Sequence, residues 1–161
     1  MKIIIILMLM GMAGGTGYYL KSRLKKEYNF LCYAQEFARY YNANISLFKN
    51  EVVLVVESFI NSKSKKNASF AQIFKNENNI YKCDLALINE YVKNSSDASM
   101  ICEYLNNIGK SEYEFEKDKN LQFEKFISEC KEKSLSNLET KGNLYFKLAL
   151  LFGAVLSIII W

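Results

Sequence analysis

The charges of this chain avoid both of its ends. Residues 3–20, IIIILMLMGMAGGTGYYL, carry none, and neither do residues 148–161, LALLFGAVLSIIIW. A bilayer core about 30 Å thick takes about 20 helical residues at about 1.5 Å each. The first run nearly reaches that length. The second reaches it when the helix starts at Leu144 and Lys147 snorkels its ammonium to the interface. Tyr18 and Tyr19 then lie at the level of an aromatic belt, with Tyr145 and Phe146 beside them and Trp161 at the far face. With no proline anywhere in the sequence, nothing of that kind interrupts long helices.

Positive charge orients the two runs. Lys21, Arg23, Lys25 and Lys26 trail the first, and Lys131, Lys133, Lys141 and Lys147 precede or enter the second. Lys/Arg excess marks the cytoplasmic side. The expectation is an all-α, membrane-anchored helical bundle. Residues 1–20 and 144–161 are its N- and C-terminal transmembrane helices, residues 21–143 lie in the cytoplasm, and both termini lie outside. The first run also has a competing reading as a cleavable signal peptide, with Lys2 as its basic end and Ala13-Gly14-Gly15 as its cleavage site. Cleavage there would leave a secreted helical domain tethered by its C-terminus.

Five of the seven glycines (Gly11, Gly14, Gly15, Gly17, Gly153) fall in the apolar runs. Small residues let membrane helices approach closely. Gly11 and Gly15 are four apart, as are Ala13 and Gly17, and Ala149, Gly153 and Ser157 repeat every four residues. The candidate packing residues are Gly11, Gly15, Ala149, Gly153 and Ser157.

Helical spacing fills the middle of the chain. Leu24, Leu31, Ala38 and Ile45 fall seven apart, joined by Phe30, Ala34, Phe37 and Tyr41. Asn42-Ala43-Asn44 reads as a turn and Ser46 as the cap of a helix over residues 47–60. A short helix is expected over 70–74, capped by Ser69, and a longer one over 80–92. Asp97 reads as the cap of a helix over 98–108 that Gly109 terminates. From Ser111 onward no stop signal appears. Tyr113, Leu121, Phe126, Ile127, Cys130 and Leu138 carry a stripe toward Leu144, and Gly142 costs only about 1 kcal/mol. A single long final helix is expected.

The chemistry is largely exclusion. The chain has no histidine, which removes Ser-His-Asp and Cys-His catalysis and imidazole zinc sites. A net charge of +4 without a concentrated basic stripe does not suit nucleic acid. Cys32, Cys83, Cys102 and Cys130 form no CxxC pair and read as reduced thiols packing like small hydrophobes. No Ser/Lys spacing marks a hydrolase nucleophile. The acidic run at Glu112, Glu114, Glu116 and Asp118 alternates with aromatic residues. It reads as the solvated first turn of a helix, favoured there by the macrodipole. No enzyme, cofactor, metal or small-molecule substrate is expected.

The arrangement resembles the stage III sporulation protein AB family. The resemblance rests on Tyr104, Ile108, Gly109, Ser111 and Glu112 opening the final helix, then on residues 141–153, where Lys141 leads into a membrane segment containing Gly153. The family's Asp is Glu112 here, its Leu before the glycine is Ile108, and its Pro-Leu turn is Ser46-Leu47. The resemblance implies a scaffold in a transenvelope channel between mother cell and forespore, among other membrane proteins of that channel. It also implies a cytoplasmic part similar to the type II secretion F-type helical domain, docking an ATPase resembling stage III sporulation protein AA. On that reading Lys110, Glu112, Glu114, Glu116 and Lys117 form the exposed rim that would meet the ATPase.

Overall fold

The computed structural model describes residues 2–45, 52–62, 70, 72–77 and 80–160. The chain is predominantly helical. Helix α1 runs Lys2–Asn44 and α2 runs Val52–Ser62. A two-stranded hairpin follows, β1 at Phe74–Glu77 and β2 at Ile80–Cys83. Then come α3 at Leu85–Tyr91, α4 at Ser95–Asn107 and α5 at Tyr113–Asn137. A π-helical turn, Leu138–Gly142, leads into α6 at Asn143–Ile160.

Two compact units are built from these elements, residues 1–28 with 132–161, and residues 29–131. Residues 21–28 and 132–143 join the apolar runs because Lys21 and Leu24 meet Gly142, Leu138 and Asn143.

The 29–131 unit has a conventional core. Phe30, Leu31, Ala34, Phe37, Ala38 and Tyr41 of α1 are all buried, the stripe that helical spacing predicts. Val55, Val56 and Phe59 of α2 pack into the same cluster. Phe37 is its hub, with ring centroids 5.3 Å from Phe59, 5.6 Å from Phe70, 5.9 Å from Phe74 and 6.2 Å from Tyr41. Asn42-Ala43-Asn44, read as a turn, are the last residues of helix α1, and the Asn44 amide Nδ2 donates to the Tyr40 carbonyl at 2.7 Å. The valine-rich run is helical, and its expected cap at Ser46 and start at Leu47 lie outside the described residues.

The hairpin departs from the expected pattern. Residues 80–83, read as the start of a helix, pair antiparallel with 74–77 in the register Phe74↔Cys83 to Glu77↔Ile80. Phe74 therefore opens a strand, and the expected cap Ser69 lies outside the described residues. The physical reason is an acceptor supplied from another element. Cys83 N–H donates to Asn106 Oδ1 of α4 at 2.7 Å, and Asn106 Nδ2 returns a bond to the Cys83 carbonyl at 3.2 Å. A side chain thus mimics a third strand at this position. Helix α3 begins after Asp84, whose carboxylate accepts from Ala86 N–H at 2.9 Å. Helix α4 is capped by Asn94, not Asp97, through Ser96 N–H at 3.0 Å; Asp97 sits in its first turn. Gly109, with φ 75, occupies the left-handed position just past α4.

The other unit is built by α1 and α6 with little buried interior. A Cβ on Gly17 would meet the Ala149 Cβ at 3.0 Å and the Phe146 Cα at 3.1 Å, so a larger residue there would push these neighbours back by a few tenths of an ångström. Lys21 Nζ donates to Asn143 Oδ1 at 2.9 Å. Hydroxyls turn back into their own helices: Thr16 donates to the Ala13 carbonyl at 2.8 Å, Ser157 to that of Gly153 at 2.7 Å. The helix Tyr113–Ile159 is 47 residues long and apolar enough over one window to cross a membrane, with 11% of that window buried. Gly142 does not end it. The glycine is absorbed in the π turn, where it is buried against Lys21 and Leu24.

Candidate functional site

A cleft of about 390 Å³ opens between α4 and α5 in the 29–131 unit. It is lined by Met100, Glu103, Tyr104 and Asn107 of α4, Lys110 beyond it, and Glu116, Lys119, Gln122, Phe123 and Phe126 of α5. Helical geometry places them. Glu116, Asn120, Phe123 and Ile127 recur at spacings of four, three and four, and all are buried, so this face of α5 turns inward.

Glu116 was expected on an exposed rim, and the structure corrects this. Its side chain is 2% exposed. Oε1 accepts from the Gly109 N–H at 2.7 Å and from the Tyr41 hydroxyl at 3.3 Å. The carboxylate closes the α4–α5 turn by taking the donor that the left-handed glycine presents. Oε2 is buried without a hydrogen-bond partner. Leaving such an atom unsatisfied costs about 1–3 kcal/mol. Burial, reinforced by the negative charge of Glu116, pushes the Tyr41 phenol well above its ordinary value. Burial does the same to Tyr104, with Tyr41 and Glu116 adding to it. Both phenols stay neutral donors.

The rest of the wall is aromatic and amide. Tyr104 and Phe123 stack with ring centroids 3.6 Å apart and planes 8° apart. The Tyr104 hydroxyl donates to Asn120 Oδ1, and Asn120 Nδ2 donates to the Ala38 carbonyl at 2.9 Å. This polar ladder runs Tyr104–Asn120–α1 beside Tyr41–Glu116–Gly109. Asn120 was not singled out in the sequence, and Tyr41, Tyr104, Gly109 and Glu116 were named there for other roles. The available signal was the 116-120-123-127 spacing, in which two polar residues share a face with Phe123 and Ile127.

The other rim candidates are on the surface. Lys110, Glu112, Glu114 and Lys117 are exposed. Lys110 Nζ donates to Asn107 Oδ1 at 3.2 Å, and Lys119 Nζ to the Ser111 hydroxyl. Among the described residues neither ammonium pairs with the Glu116 carboxylate. The stripe assigned to the final helix is also out of phase. Tyr113, 45% exposed, and Leu121 face outward, while Ile127 is buried and Phe126 and Cys130 pack partly buried against the core.

The candidate packing glycines divide. Gly11 and Gly15 are exposed with nothing near their missing Cβ positions, whereas Gly17 makes the close approach to Ala149. Gly153 is buried and Ser157 is half-buried. The small-residue match that meets α6 is therefore centred on Gly17. None of the four cysteines is in a disulfide. Cys83 ends a strand and not a helix, and burial beside Cys102 pushes its thiol up. Cys102 Sγ donates to the Cys83 carbonyl at 3.5 Å. Among the described residues no three His, Cys, Asp or Glu side chains converge as metal ligands. No family model, curated protein or solved structure matches this chain.

Proposed function

We propose that the chain is a non-enzymatic membrane scaffold, anchored by the apolar segments of α1 and α6, that presents the 29–131 unit to a partner ATPase in the cytoplasm. The observation that carries this reading is the helix Tyr113–Ile159. One continuous helix supplies Phe123 and Ile127 to an aromatic core, then exposes Phe152 (68%) and Ile158 (75%). An exposed apolar surface of that kind needs a cover, and lipid is the cover that suits the charge-free stretch from residue 148 onward. The inward-turned hydroxyls of Thr16 and Ser157 support the same reading, since lipid offers them no partner. The basic residues flanking both segments support a cytoplasmic 29–131 unit. Its setting, by the resemblance drawn from residues 104–112 and 141–153, is a sporulation transenvelope channel with an ATPase resembling stage III sporulation protein AA.

The rim of that unit is the exposed set Lys110, Glu112, Glu114 and Lys117, without Glu116. Reversing Glu112, Glu114 and Lys117 together is expected to remove most ATPase co-purification while helical content and melting temperature stay unchanged. Rim charges tune association more than folding. The anchoring half is checked separately with a membrane-impermeant maleimide, which should not reach the cysteines in intact cells and should reach Cys32 and Cys130 in inverted vesicles. Co-purification that survives the triple reversal removes the rim. Labelling from outside intact cells reverses the topology.

A further inference from the structure

Charge is divided unequally between the two units. Residues 1–28 and 132–161 hold eight of the 21 Lys and Arg but three of the 17 Asp and Glu, and residues 29–131 hold the other 13 and 14. The side chains of the first unit therefore carry +5 and those of the second −1. Contacts fix the heights of these groups along the helix pair. Gly17 of α1 lies against Phe146 and Ala149, and Lys21 against Gly142 and Asn143, so α1 and α6 run antiparallel. That register brings Tyr18 and Tyr19 level with Tyr145 and Phe146, and all four are exposed. Beyond them, away from the apolar ends, Lys21, Arg23, Lys25 and Lys26 come level with the turn that carries Lys141. Lys21 spends one N–H on Asn143. Arg23, Lys25, Lys26 and Lys141 are exposed, and none of them makes an ion pair among the described residues.

Residues 21–26 of α1 span about 8 Å at about 1.5 Å each. The headgroup layer on either side of a bilayer is about 5–8 Å thick. The order along the pair is apolar, aromatic, basic, which is the order of hydrocarbon, interface and headgroup phosphates. Lys147, exposed and level with Gly17, lies about one turn nearer the apolar ends and reaches the same layer with its four-carbon stem. Cations this close stand within one Debye length, about 8 Å at physiological salt, and repel one another. Glu27, Glu132 and Glu139, the three carboxylates of this unit, are too few to balance them. The balance has to come from outside the chain. Steps of about 100° per residue set Arg23, Lys25 and Lys26 on different sides of α1, so a single protein surface would meet only some of them. A lipid annulus meets them all. We infer that the basic band formed by Arg23, Lys25, Lys26 and Lys141 binds the headgroups of anionic phospholipids.

This lipid surface rests on the anchoring half of the scaffold reading, whose failure the experiment reads separately. The full chain is reconstituted into phosphatidylcholine vesicles holding a trace of spin-labelled phosphatidylglycerol or of spin-labelled phosphatidylcholine. Electron spin resonance then reads how much of each label the protein slows. Phosphatidylglycerol is expected to be preferred about two- to fivefold, since one Lys or Arg near the surface is worth about fivefold and only part of the lipid shell meets the band. The preference should vanish in about 1 M salt, which screens charges beyond about 3 Å. It should also vanish when Arg23→Gln, Lys25→Gln, Lys26→Gln and Lys141→Gln are combined, while the total slowed lipid stays the same. Should that variant not reconstitute, Glu139→Lys decides, since it adds a cation to the band from an exposed position and should raise the preference about twofold. An unchanged preference in Glu139→Lys overturns the inference, as does one that survives the fourfold variant or high salt. Equal slowing of the two labels also overturns it and leaves the anchoring in place. A chain that slows neither label overturns both.

Discussion

The two compact units use the same apolar residue types to opposite ends. In residues 29–131, phenylalanines 30, 37, 59 and 70 are removed from solvent and packed ring against ring. In residues 1–28 with 132–161, Leu7, Met8, Leu151, Phe152, Ile158 and Ile159 stand exposed on helices that touch closely at a glycine. The first arrangement is stabilised by water exclusion, which scales with buried apolar area. In the second, little apolar area is buried between the helices, and close backbone approach at Gly17 carries the packing. The contrast shows that hydrophobicity alone does not name a core. Whether a residue's neighbours are protein or another medium decides what it contributes.

That contrast can be broken most forcefully at Phe37. It is fully buried and meets four other rings. Phe37→Ala is expected to lower the stability of the 29–131 unit by about 3–5 kcal/mol in urea melts of the full chain. Phe152→Ala, an equal truncation at an exposed position, should leave the same transition within about 0.5 kcal/mol. Comparable losses from the two would erase the distinction between the units.

A smaller effect tests the packing in the other unit. Gly17→Leu must displace Ala149 or the Phe146 backbone, and is expected to weaken the pairing of α1 with α6 by about 1–3 kcal/mol. Cysteine cross-linking between the two helices in a bilayer would read this. Gly15→Leu enters open space and should leave the cross-link unchanged. Equal effects at both positions would mean that the close approach at Gly17 is not what holds the helices.

The smallest effect lies on the surface of the 29–131 unit. Arg39 Nε donates to Glu124 Oε1 at 2.6 Å, with side chains 64% and 24% exposed. Solvent screens such a pair, so Arg39→Ala should cost about 0.2–1 kcal/mol in the same urea melt. A loss approaching that of Phe37→Ala would show that this edge, and not the aromatic cluster, organises the unit.

Much of this was legible in the residue pattern. The stripe through Phe30, Ala34, Phe37 and Tyr41 needed only helical spacing, and Gly109 announced the end of α4 because the left-handed conformation favours glycine. The uninterrupted final helix followed from the absence of proline and of any strong stop after Ser111. The hairpin was less legible. Its strands are four residues each, separated by Asn78 and Asn79, a residue type that tight hairpin turns favour. The pairing of Cys83 with Asn106, 23 residues away, has no local signature.

The candidate site was legible in its parts and not in its assembly. Glu112, Glu114 and Glu116 look alike in an alternating acidic run, and spacing within the run does not tell them apart. Two of them face solvent and the third is buried, because the face of α5 bearing Phe123 and Ile127 also bears Glu116 and Asn120. Residues 1–28 show the same split. Spacing identified small residues on both apolar helices, but it could not tell Gly15, which faces open space, from Gly17, which meets Ala149. The sequence by itself determined the helical stripe of α1, the charge-free ends and the stop at Gly109, since these depend on residues within a few positions of one another. Tertiary structure decided the phase of α5, the strand pairing, the glycine contact and the buried carboxylate. Each of those depends on what a distant helix presents, such as the Tyr41 hydroxyl, 75 positions from Glu116.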